Sequence, residues 1–159
     1  PTGVIMVIAV SDIWLETLTI ACLSTWVCDT AALLGGHRLG RHKLDEEISP
    51  NKTVEGSVCG AVSSVGVGLL IYYLGICCVD APFIGGQYTQ LPLWLCILTS
   101  FAAASMGQIG DLAESMIKRM IGIKDFSNLI PGHGGMLDRA DSLLFSIPAA
   151  YFCLRLAGL

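Results

Sequence analysis

Asp111, Glu114, Ser115 and Lys118 recur at i, i+3, i+4 and i+7, a spacing that puts all four side chains on one helix face. They close a long apolar stretch, and ionisable groups at membrane depth are costly enough that function is the default explanation for them. Ala103 and Gly107 carry the stripe toward the membrane centre and leave room for a ligand or a second helix. The plainer alternative is an interfacial helix end with solvated charges. Against it, Asp111 lies two turns inside Lys118 and is partly withdrawn from water.

The next segment, Lys124-Asp125-Phe126-Ser127-Asn128-Leu129-Ile130-Pro131-Gly132-His133-Gly134-Gly135, sets glycines around a histidine. Such a loop can turn tightly and let its backbone approach a ligand, and successive N–H groups in it can cradle an anion. Asp138, Arg139 and Asp141 follow, with the two carboxylates three residues apart and able to face one way. Carboxylates beside a phosphate-binding surface suit Mg²⁺, which takes one or two protein carboxylates, substrate phosphates and water.

A second polar cluster runs Ser49-Pro50-Asn51-Lys52-Thr53-Val54-Glu55-Gly56. Pro50 holds Ser49 extended, and Ser49, Asn51, Lys52 and Thr53 offer hydroxyl, amide and ammonium donors to phosphate. Asp29 is a further carboxylate within reach. Taken alone, a solvated loop explains this cluster equally well.

The elements that must carry these groups are membrane helices. Hydrophobic residues make up 53% of the 159 and charged residues 14%, against about 25% charged in soluble domains; mean hydropathy is +0.68. A spanning helix needs about 20 mostly apolar residues. Four stretches qualify: Ile13 to Leu34, Gly56 to Val79, Leu91 to Ile117 and Ala140 to Gly158. Gly3 to Val10 reads as the tail of a fifth. The fold class predicted is all-α, a polytopic transmembrane helical bundle of about four complete spans plus a truncated one, forming a single domain over residues 1–159. Pro1 stands inside an apolar run with no initiator Met, so the chain reads as the C-terminal part of a longer protein whose upstream spans are missing.

Charge placement sets the topology. Arg38, Arg41, Lys43 and Lys52 follow the first span, and Lys118, Arg119, Lys124 and Arg139 lie between the third and fourth, leaving only Arg155 elsewhere. Two spans separate the basic loops, so both share a face, and the positive-inside rule makes it cytoplasmic. Arg155 can snorkel to the far interface. Compact loops suit a bacterial cytoplasmic membrane. The seven cysteines form no C-x-x-C pair and sit mostly in apolar runs, where a thiol acts as a small hydrophobe. Gly56, Gly60, Ser64 and Gly68 give the second span a smooth face, suited to tight packing within the bundle or to a homodimer seam.

The run SMIKRMIGIKDFSNLIPGHGGMLDRAD, from Ser115 to Asp141, resembles the hallmark of the phosphatidate cytidylyltransferase family: Ser-x-apolar-Lys-Arg, then Lys-Asp, Pro-x-His-Gly-Gly and Asp-Arg-x-Asp. Upstream, Asp29 to Gly56 is similar to the family's Asp-x-x-Ala, basic glycine-spaced loop and Ser-Pro-x-Lys-Thr-x-Glu-Gly segment. Ala140 and Ala32-Leu33 depart from it, where larger apolar and aromatic residues are common.

The resemblance implies an enzyme that joins CTP to phosphatidate, releasing pyrophosphate, with Mg²⁺ alone or with a second cation. Its partners would be CTP, phosphatidate and the bilayer, with no nucleic acid. Asp111 and Asp138 would hold the metal, helped by Asp141 and Asp29. Lys118, Arg119, Lys124 and Arg139 would meet the phosphates. Ser49, Asn51 and Lys52 would bind nucleotide, and His133, Gly134 and Gly135 would shape the loop. A transporter would instead spread polar residues through the depth of the bundle. The Gly-x-Gly-Asp motif of intramembrane aspartyl proteases fails, because position 108 is glutamine. A CTP-dependent lipid kinase would need similar groups and differs in its products.

Overall fold

A computed structural model of the chain describes residues 14–45, 49–77, 91–122 and 137–157. They form α1 (Trp14–Leu39), a hairpin of β1 (Lys43–Asp45) and β2 (Ser49–Thr53), α2 (Val54–Cys77), α3 (Leu93–Ile121) and α4 (Leu137–Leu156). The predicted all-α bundle is the architecture found. The segment 3–10, read as a truncated span, lies outside the described residues.

Three helices are long and apolar enough to cross a membrane, with spans Thr17–Leu39, Val54–Leu74 and Leu93–Ile121. The fourth predicted span is a helix too, but its apolar part, Ser142–Leu156, is shorter. Its first turns are spent on Asp138, Arg139 and Asp141, and Pro148 sits in its interior.

The burial pattern is that of helices in lipid. Large apolar side chains such as Trp26, Val62, Leu70 and Phe101 point outward, while Ser24, Ser64, Thr99, Ser100 and Ser146 are fully buried. Hydrocarbon tails solvate leucine as well as a core does, so the interior gains from small residues that let backbones approach. Several hydroxyls bond back to their own helix: Thr25 Oγ1 donates to the Ala21 carbonyl at 2.8 Å and Ser64 Oγ to that of Ala61 at 2.7 Å.

The small-residue face of α2 is used inside the chain. A Cβ on Gly56 would stand 2.7 Å from the Ala32 carbonyl oxygen, one on Gly60 2.8 Å from Cys28 Sγ, and one on Gly68 2.8 Å from the Cys96 carbonyl oxygen. The stripe therefore seats α2 on α1 at one end and on α3 at the other. A homodimer would use a different surface.

α1 and α3 run parallel. Ala21 and Ala103 share one apolar cluster with Ile147, Ala150 and Tyr151 of α4, and one turn further on a Cβ at Gly107 would meet Thr25 Cγ2 at 2.7 Å. A second cluster, built on Ile20, Val67, Ile71, Leu95 and Leu154, ties all four helices together toward the other end.

The hairpin between α1 and α2 was not foreseen. β1 and β2 pair antiparallel with Lys43 opposite Thr53 and Asp45 opposite Ser49. Pro50 favours extended backbone on its N-terminal side, and Val54 N donates to the His42 carbonyl at 3.0 Å where the strand gives way to α2.

Candidate functional site

Local capping sets the ends of the helices that carry the site. Thr53 Oγ1 accepts from Gly56 N at 3.1 Å, satisfying one of the free amides at the start of α2. At the end of α3, Gly122 adopts the left-handed conformation at φ 75°, with its N–H directed at the Arg119 and Lys118 carbonyls, a stop that glycine makes at no steric cost. Lys118 and Arg119 occupy the last turn of α3, where cations complement the helix dipole.

Glu55, in the first turn of α2, anchors the hairpin. Its carboxylate accepts from the backbone N–H of Arg41 at 3.1 Å and of His42 at 3.2 Å, and His42 Nδ1 stands 2.7 Å from Oε1. With a carboxylate as acceptor, that ring nitrogen carries the proton. The hairpin that bears Lys52 is thus tied to a helix end at both of its roots.

Between hairpin and helices lies a cavity of about 740 Å³. α1 contributes Asp29, Ala32, Leu33, Gly36 and His37, one face at i, i+3, i+4, i+7 and i+8. Across from it stand Lys52 and Thr53 of β2, Ser57 of α2, and Gln108 and Asp111 of α3. The parallel register that sets Thr25 beside Gly107 brings Asp29 and Asp111 to the same level one turn later. Lys52 Nζ donates to Asp111 Oδ2.

Of the four residues read as one polar face, only Asp111 lines this cavity. Glu114 is buried, and Lys118 Nζ lies 3.2 Å from its Oε1 within the same helix, with side chains 13% and 9% exposed for Lys118 and Glu114. That pairing keeps two charges in the low-dielectric end of α3, where an unpaired one would be costly. Ser49 and Arg119 are described but do not line the cavity. Asn51, Asp138, Arg139 and Asp141 stand in β2 and the first turns of α4, and their side chains lie outside the described set. Lys124, His133, Gly134 and Gly135 lie outside the described residues. Among the described residues, no three His, Cys, Asp or Glu side chains converge as a metal-binding group.

Sequence reasoning passed over Gln108, reading it only as the residue that breaks a protease motif. Its amide is a structural centre: Nε2 donates to Cys28 Sγ at 2.9 Å and to the Ser57 carbonyl at 3.1 Å. The available signal was a polar amide deep in an apolar span, one turn before a carboxylate.

Residues 4–157 match the cytidylyltransferase family model. The chain belongs to the cytidylyltransferase family. Among the relatives it matches, a protein of Bacillus subtilis is 42% identical over 139 residues, covering 86% of this chain and 46% of the relative. One from Staphylococcus saprophyticus is 41% identical over 134 residues, covering 84% and 47%. One from Staphylococcus haemolyticus is 40% identical over 134 residues, again 84% and 47%. All three are named phosphatidate cytidylyltransferase. The chain spans about half the length of the curated relatives it matches.

Proposed function

We propose that the full protein transfers the cytidylyl group of CTP to phosphatidate, giving CDP-diacylglycerol and pyrophosphate at the cytoplasmic face of the membrane. The observation that carries this reading is the meeting of Asp29, Lys52 and Asp111, from three different elements, on one cavity of a cytidylyltransferase chain. The cavity's size falls within the roughly 300–1,000 Å³ of small-molecule sites. Its place at the basic end of membrane helices suits a substrate whose tails stay in lipid while its phosphate meets a water-borne nucleotide.

An oxygen of the phosphatidate phosphate attacks the α-phosphorus of CTP, that P–O bond forms, and the bond to the β-phosphate oxygen breaks as pyrophosphate leaves. The attacking phosphate is already ionised at neutral pH, so no general base is required. The protein's task is to bring two polyanions together and hold them aligned. Lys52, on the cavity wall and paired with Asp111, would exchange that partner for a nucleotide phosphate. Thr53 and Ser57 add hydroxyls on the same wall. Arg119, Arg139, Lys118 and Lys124 would supply further cations to the phosphates, and Ser49, Asn51, His133, Gly134 and Gly135 would complete the nucleotide contacts. Ser49, Lys118 and Arg119 stand off the cavity wall, and Lys118 would exchange Glu114 for a phosphate.

Two carboxylates from separate helices on one cavity form a hard-oxygen donor set, which suits Mg²⁺ better than softer metals. Asp29 and Asp111, completed by Asp138 and Asp141, would hold it. When bound it neutralises phosphate charge and polarises the reacting phosphoryl group.

The test uses membranes containing the full-length protein, with CTP labelled at the α-phosphate, phosphatidate and Mg²⁺. Label entering lipid as CDP-diacylglycerol, with loss on chelation, is the expected result. No lipid label from a folded, inserted protein overturns the reaction, and release of CDP in place of pyrophosphate identifies a lipid kinase.

A further inference from the structure

We infer that Gln108 is a positioning residue, a three-helix clamp that holds the two cavity carboxylates, Asp29 and Asp111, in fixed relation. Its Nε2 donates to Cys28 Sγ on α1 and to the Ser57 carbonyl on α2, at 2.9 and 3.1 Å. Cys28 precedes Asp29 directly, and Gln108 stands one turn before Asp111. A single amide thus links the neighbours of both carboxylates and the wall on which Ser57 lies.

The seat for this amide is built into the fold. A Cβ on Gly60 would stand 2.9 Å from Gln108 Nε2 and 2.8 Å from Cys28 Sγ, so glycine at 60 leaves the space that the amide and thiol fill. An amide partly withdrawn from water is costly without partners, and here both bonds of the half-buried Gln108 go to helices other than its own. Small displacements of aligned groups reduce phosphoryl-group reactions steeply, about a hundredfold for 1 Å. Gln108 itself reaches the cavity wall, but with its Nε2 committed to Cys28 and Ser57 the clamp acts on rate through the placement of Asp29 and Asp111.

For its effect on rate this inference rests on the cytidylyl-transfer reading; the clamp itself rests on geometry. The test uses the full-length protein and three variants. Gln108→Met keeps length and volume but loses the donor, Cys28→Ala removes the acceptor on α1, and Cys28→Ser restores one. Hydrogen–deuterium exchange is measured with chelator present, so neither metal nor turnover enters. Exchange around Asp29 and Asp111 should quicken by about fivefold in Gln108→Met and Cys28→Ala, and stay near wild type in Cys28→Ser. The kcat of Gln108→Met should fall by about tenfold to a hundredfold while its KM for CTP holds. Wild-type exchange in both Gln108→Met and Cys28→Ala, or a loss expressed wholly in KM, overturns the clamp. Should Gln108→Met not fold, the Cys28→Ala and Cys28→Ser pair decides. If the wild type transfers no cytidylyl group, the proposed reaction fails, and the exchange comparison still judges the clamp.

Discussion

Lys52 of the hairpin and Asp111 of α3, 59 residues apart in sequence, form an ion pair across the cavity. Their side chains are 28% and 35% exposed, so solvent screens the pair and its share of stability is small, about 0–1 kcal/mol. Removing either partner should therefore change activity far more than folding. Lys52→Met should raise KM for CTP by about tenfold to a hundredfold, the scale of a lost hydrogen bond to a charged group, with little change in thermal midpoint. A wild-type KM in a folded variant would remove Lys52 from nucleotide binding.

Asp111→Asn keeps the shape and loses the charge. Its kcat should fall by about a hundredfold or more, the scale of losing a preorganised electrostatic contact. Near-normal turnover at limiting Mg²⁺ would show that Asp111 holds no metal.

Glu55 ties the hairpin to α2 through Arg41, His42 and the first turn of its own helix. Glu55→Ala should leave the helices in place and loosen the hairpin. Limited trypsin digestion is the readout, because Arg41 and Lys43 lie in the tethered segment; faster cleavage there is expected. An unchanged cleavage pattern means that the strand pairing alone holds it.

Two glycines of α2 separate packing from helix propensity. Gly60→Val must push into Cys28 Sγ and the Cys28 carbonyl, and overpacking of this kind costs about 1–3 kcal/mol. At Gly66 a Cβ meets nothing within 4 Å, so Gly66→Ala should be neutral or stabilising by up to about 1 kcal/mol. Thermal unfolding in detergent tests both, and equal effects would contradict the packing described.

The basic loops should share one side of the membrane. Single cysteines placed at Lys43 and at Met120, in a cysteine-free background, should react with an impermeant thiol reagent from the same side. Reaction from opposite sides would overturn the topology.

The membrane character of the chain was legible from composition and apolar run length, because every spanning backbone must close its hydrogen bonds within the helix and only long apolar segments do so at low cost. The family was legible too: the spacing from Ser115 to Asp141 carried it, and the match over residues 4–157 confirms it. Asp29, Lys52 and Asp111 could each be singled out as chemistry-bearing types, since a polar group near hydrocarbon stands out against its neighbours.

Which of them meet was decided only by the packed helices. Asp111 and Glu114 share a face by spacing, yet Asp111 turns to Lys52 while Glu114 is buried against Lys118. The glycine stripe of α2 allowed a seam inside the chain or between chains, and contacts with Ala32, Cys28 and Cys96 give it to the interior. Gln108 looked incidental until Cys28 and Ser57 closed around its amide. Periodicity determines which residues share one helix's face; the partner that face receives depends on backbone approach and register between helices, set by contacts far apart in the chain.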